Sequence, residues 1–129
     1  MATFTLLVTS SPNSTDLHLA ATEFANAAVK DGHIIRRVFF YGDGVYAGLA
    51  SQQPPQGQES ALHLWRQLKE DLDTPLQACI ANSLRRGVTD CREAKRYNLG
   101  EATLADCFEL CGLGEMAEAL NDSDRVIQF

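Results

Sequence analysis

Five short apolar runs punctuate this chain, and between them the apolar residues recur every three or four positions. The runs are "FTLLV" from Phe4, "HIIRRVFFY" from His33, "PLQACI" from Pro75, "FELCG" from Phe108 and "DRVIQF" from Asp124. Runs of this length read as strands, and the periodic stretches between them as helices. Parallel neighbours need a long crossover, and the crossover helix packs back onto the sheet. The alternation therefore predicts an α/β fold: a mostly parallel sheet of about five strands with helices on both faces. At 129 residues the chain is long enough for one core, so a single domain over 1–129 is expected.

Local punctuation agrees. "TSSPNST" follows the first run and is rich in helix-capping residues. Leu17, Ala20, Ala21, Phe24 and Ala28 then fall on one helical face, and Gly32 stops the helix. Gly42-Asp43-Gly44 closes the second strand as a turn. "SQQPPQGQES" has two prolines and no period, so it reads as an exposed loop. Ala61, Trp65, Leu68 and Leu72 mark the next helix. Pro75 opens the third strand, with Cys79 near its carboxyl end, and a short helix runs on to Gly87. Asp90 is placed to cap "CREAKRY", and "GEMAEAL" is helical before the last strand.

The balance of charge narrows the class. A net charge of -6 opposes a freestanding nucleic-acid binder, which needs a basic footprint. "MATFTLLVTSSPN" has no basic region, and its apolar run is too short to span a membrane. A cytoplasmic protein is expected, with no membrane partner. Its four cysteines, Cys79, Cys91, Cys107 and Cys111, are then free thiols, ligands or nucleophiles before they are disulfides.

Two stretches lie where chemistry collects, beyond the carboxyl ends of parallel strands. The first is "TSSPNST", which is either a phosphate cradle of the flavodoxin kind or an ordinary helix cap. Pro12 stands where close backbone approach favours glycine. The second is Cys79, at a strand end directly followed by a helix start, with Arg85 and Arg86 further on. Free amides, a helix dipole and nearby cations lower a thiol's pKa, and the thiolate is the nucleophile. Free cysteine also packs as a small hydrophobe, and both readings stand on position alone. His18, His33 and His63 are scattered, so a Cys-His pair could form only in the fold. His33 reads as filling the turn before the second strand, and His63 as riding a helix face. No paired ligand spacing accompanies Cys107 and Cys111, so no metal is expected.

Taken in order, "RRVFFYGDGVY", "ACIANSLRRGV", "CGLGEMAEAL" and "DRVIQF" resemble the DsrE/TusD family of sulfur-relay proteins. The resemblance covers nearly the whole chain, and the cysteine stretch with its double arginine is its most specific part. It implies a sulfurtransferase whose persulfide sits on Cys79, with no cofactor. It implies a cytoplasmic heterohexamer with two homologous subunits, a small sulfur-carrier donor and an acceptor protein with a C-terminal cysteine. Within the family the chemistry serves either 2-thiouridine formation at the tRNA wobble position or sulfur oxidation, and the tRNA branch is expected here. Two rivals belong to other classes: a non-catalytic structural subunit whose cysteine merely packs, and a nucleotide- or flavin-binding module using "TSSPNST". Exposure of Cys79 separates the first rival from the main reading.

The family pattern has no counterpart for thiols at Cys107 and Cys111. Residues four apart sit about 5–6 Å from each other on a helix and about 13 Å apart on a strand, both too far for a disulfide without distortion. These two are expected neither to pair with each other nor to resolve Cys79, although Cys111, just before Gly112, could approach the reactive end of the sheet. "HIIRRVFFY" and the loop at Pro54 and Pro55 are expected to offer assembly surfaces.

Overall fold

In the computed structural model, which describes residues 1–129, each predicted run forms a strand. These are β1 (Thr3–Val8), β2 (Ile34–Phe40), β3 (Leu76–Cys79), β4 (Glu109–Cys111) and β5 (Arg125–Gln128). They hydrogen-bond in the order β4-β3-β2-β1-β5, and all four neighbouring pairs are parallel. The helices are α1 (Thr15–Lys30), α2 (Ala61–Leu72), α3 (Ile80–Leu84), α4 (Cys91–Arg96) and α5 (Leu113–Asp122).

Chirality distributes the helices. The crossovers from β1 through β4 all step the same way, whereas the last returns from one sheet edge to the other. Crossovers are right-handed, so the reversal carries its helix to the opposite face. Accordingly α1 and α2 pack together on one face. On the other, Arg37 of β2 forks onto Asp122 of α5 with two bonds of 3.0 Å.

Strand parity sorts the side chains between these faces. Leu6, Val8, Val38, Phe40, Leu76 and Ala78 join Ala21, Ala25, Leu62, Trp65 and Leu68 in the main core. Their alternates, among them Thr5, Arg37, Phe39, Gln77 and Cys79, turn toward the α5 face. Phe39, Cys79 and Ala119 of α5 are buried outside the main core.

Three local expectations need correction. In α1 the buried residues are His18, Ala21, Thr22, Ala25 and Ala28, while Leu17 and Ala20 are exposed. The helix is rotated so that His18 meets Trp65 of α2, whose Nε1 donates to His18 Nδ1 at 2.9 Å. Gly42-Asp43-Gly44 is not a bare turn but the start of a 3-10 helix, Gly42–Gly48. It lies so close to the end of β1 that a Cβ on Gly44 would collide with the Val8 carbonyl. Finally, β2 lies mid-sheet with both edges paired, so "HIIRRVFFY" offers no free strand edge for assembly. The loop at Pro54 and Pro55 is exposed or half-buried, as expected. No helix is long and apolar enough to cross a membrane.

Candidate active site at the carboxyl edge of the sheet

Cys79 is the last residue of β3 and the N-cap of α3. The strand ends there because the next residues take up helical backbone, held within α3 and then by Arg85 N–H bonding to the Ala81 carbonyl. The start of α3 is fastened to the neighbouring loop. Asn82 Oδ1 accepts from the Gly42 amide, and Arg86 Nε donates to Asp43 Oδ1 at 3.0 Å. Arg86 also donates to the Asn82 carbonyl, so its charge and its donors are engaged in holding loop to helix. Arg85 is exposed.

The Cys79 side chain is not open to solvent. Only 1% of the residue is exposed. No histidine serves it as a base. His18 lies on the opposite face, with Nδ1 accepting from Trp65 and Nε2 donating to the carbonyls of Ser10 and Ser11. His33 sits at the far end of the sheet, where Nδ1 accepts from the Ala2 amide and fills the turn before β2. His63 rides the exposed side of α2, beside Glu59.

The neighbour Cys79 does have is a thiol. In the pairing of β3 with β4, Gln77 stands opposite Glu109, Ala78 opposite Leu110, and Cys79 opposite Cys111. Gln77 Nε2 donates to Glu109 Oε1 at 3.1 Å, so side chains in this register meet across the two strands. Cys79 and Cys111 repeat that arrangement one pleat further on and on the same face. The approach of Cys111 to the reactive end of the sheet, which its place before Gly112 left open, is thus realised. Both cysteines end a strand immediately before a helix, and all strands of a parallel sheet end on the same edge. That signal is present in the sequence; the adjacency of β4 to β3 is not.

Cys107 and Cys111 do stay apart. Cys107 packs against the main core beside Arg66 of α2, and burial pushes its thiol pKa up. Cys111 lies half-buried on the α5 face, where burial and then the charges of Glu109 and Glu115 push its thiol up to about 12. Cys91 is exposed at the start of α4, where Asp90 caps the helix by accepting from the Glu93 amide at 2.8 Å.

The loop after β1 borders a cavity of about 470 Å³, with Ser11, Asn13 and Thr15 on one side and the loop through Gln58 on the other. Its lining carries Asp43 and Glu59 and no lysine or arginine. A phosphate there would meet two carboxylates and no cation, which opposes the cradle reading of "TSSPNST".

Comparison with known proteins gives the family and the fold. The DsrE/DsrF-like family pattern matches residues 2–129. The chain belongs to the DsrE/DsrF-like family. Among its DsrE/DsrF-like relatives, a protein named sulfurtransferase TusD from Cronobacter sakazakii is 40% identical over 126 residues, covering 98% of both chains. Another of that name from Pectobacterium carotovorum is 39% identical and covers 100% of both. A sulfurtransferase TusD homolog from Vibrio cholerae is 39% identical over 98% of this chain and 97% of its own. The crystal structure of the ychN protein from E. coli shares the fold, with a TM-score of 0.78 at 21% identity over the whole of both chains. In this DsrE/DsrF-like chain the carboxyl edge thus brings together two thiols, a fastened helix start and no histidine.

Proposed function

We propose that this chain is a sulfurtransferase subunit that carries sulfur as a persulfide on Cys79. One combined observation supports the reading. Cys79 closes a strand at the carboxyl edge of a parallel sheet, in a chain matched end to end by relatives named sulfurtransferase TusD. The Cys79 thiolate attacks the outer sulfur of a donor persulfide, forming Cys79–S–SH and releasing the donor thiolate. An acceptor thiolate then takes the same outer sulfur and restores Cys79, by the logic of thiol–disulfide exchange. Neither step calls for a metal or an organic cofactor.

The donor is a small sulfur-carrier protein and the acceptor a protein ending in a cysteine, on a cytoplasmic route to 2-thiouridine at the tRNA wobble position. The acidic chain meets proteins rather than the RNA itself. It works within a heterohexamer of two homologous subunits and itself. Leu113 and Leu120 of α5, 54% and 65% exposed, support such an assembly as apolar surface left uncovered in the single chain. Sulfur oxidation by the same chemistry is the alternative pathway. It is supported if the chain restores that oxidation, and not 2-thiouridine, in a cell stripped of its own relay.

The test is intact mass after incubation with a persulfide donor. The parent should gain one reducible sulfur, and Cys79→Ser, still folded, should gain none. Undiminished loading of the Ser variant sinks the assignment. The burial of Cys79 favours a second reading, a structural subunit whose cysteine only packs. That reading stands if Cys79 resists iodoacetamide and takes up no sulfur even with its companion subunits present.

A further inference from the structure

Cys79 and Cys111 are register partners at the ends of adjacent parallel strands, with side chains on one face. Strands are spaced by about 4.8 Å, which lies inside the Cα separation of about 4.4–6.8 Å that disulfides span. The Cys111 side has room to adjust. β4 is a three-residue strand at the sheet edge, and Cys111 leads into Gly112, the N-cap of α5. Cys79 is buried, whereas its register partner Cys111 is half-buried and so the more accessible of the two thiols.

We propose that Cys111 is the second thiol of the Cys79 site and resolves its persulfide. The proposal rests on the persulfide reading of Cys79. The Cys111 thiolate, its proton given up to solvent, attacks the inner sulfur, the Sγ of Cys79. The Sγ–Sγ bond forms as the bond from Cys79 Sγ to the outer sulfur breaks, and the outer sulfur leaves with the electron pair as hydrosulfide. The sulfane sulfur is reduced and the two cysteines are oxidised to a disulfide, so no outside oxidant is needed. A dithiol reductant returns both cysteines to thiols.

The surroundings of Cys111 set the pace. Burial first, and then Glu109 on its own strand and Glu115 on α5, hold it protonated, opposed by Arg37 on β2. Little thiolate is present near neutral pH, so a loaded Cys79 keeps its sulfur long enough to meet an acceptor. Without an acceptor, the site empties itself slowly as hydrosulfide. Below the Cys111 pKa the thiolate fraction rises about tenfold per pH unit, and resolution should quicken with it.

The experiment loads the full chain with sulfur, removes the donor, and follows hydrosulfide release and intact mass without acceptor. The parent should lose its sulfur and end lighter than its reduced form by two hydrogens. Trypsin cuts between the two thiols at Arg85 to Arg96, so the product should yield two joined peptides, and fragment-ion sequencing should place the join at Cys79 and at Cys111 rather than Cys107. Cys111→Ser and Cys111→Ala should each retain the sulfur about tenfold longer or more, form no such cross-link, and lack the acceleration at higher pH. Equal rates of loss in the parent and both variants, with no Cys79–Cys111 cross-link, overturn the proposal while leaving the carrier reading intact. Undiminished loading of Cys79→Ser overturns the carrier reading and this proposal with it.

Discussion

Replacing His18 with phenylalanine tests how the loop after β1 is held. His18 is 0% exposed and lies between two sets of partners. Because indole N–H can only donate, Nδ1 must accept from Trp65 Nε1, and Nε2 carries the proton shared by the Ser10 and Ser11 carbonyls at 3.0 and 3.1 Å. His18→Phe fills the same space and orphans a buried indole N–H, a cost of about 1–3 kcal/mol. Losing the bonds to the two carbonyls adds roughly 1 kcal/mol, for about 2–4 kcal/mol in all. Trp65→Phe orphans the other side of the same bond, so the double variant should be less destabilised than the sum of the singles by about 1–2 kcal/mol.

The same site predicts a pH dependence. Burial pulls the His18 pKa below its usual value, more than the two carbonyls raise it. Above the unfolded value, about 6.5, the imidazole is neutral in both states and its contribution is whole. As pH falls below that value the unfolded chain takes a proton that the native site refuses, and stability drops by up to about 1.4 kcal/mol per pH unit until the lowered native pKa is reached. Urea unfolding of the parent, both singles and the double at about pH 7.5 and about pH 5.5 measures both effects. Additive singles, together with parallel pH losses in the parent and His18→Phe, would refute the reasoning.

Other consequences follow from the same packing. Gly44→Ala should destabilise by about 1–3 kcal/mol or more, because the new Cβ strikes the Val8 backbone carbonyl. Gly48→Ala should cost less, since its nearest clash at 2.7 Å is the Leu104 side-chain tip, which can turn away. Thermal melts of the pair would show the wrong order if this account fails. Asp122→Ala should free α5 from Arg37, seen as faster amide exchange across Leu113–Asp122 with the α1 and α2 side unchanged. The Arg37 guanidinium holds the Asp122 carboxyl below its usual range, so in the parent this tether persists above about pH 3.9 and is lost only as pH falls through the lowered pKa. Amide exchange that rises in α5 already near neutral pH in the parent would contradict it.

The sequence by itself determined the five strands, the helices between them, and the placing of Cys79 at a strand end. These are local matters: apolar runs such as "PLQACI", the break at Gly32 and the cap at Asp90 act over a few residues of chain. Local period misjudged α1, because small residues dominate that helix and the deciding contact, His18 with Trp65, spans 47 positions. Strand order, too, is absent from any local stretch. "FELCG" reads as a strand wherever it docks, and only the completed sheet puts it at the edge beside β3. That docking turns Cys111, 32 residues beyond Cys79, into its immediate neighbour. Pairing register between distant strands follows from how two faces bury their apolar sets together. The tertiary structure alone therefore decided that the two thiols at the carboxyl edge are neighbours.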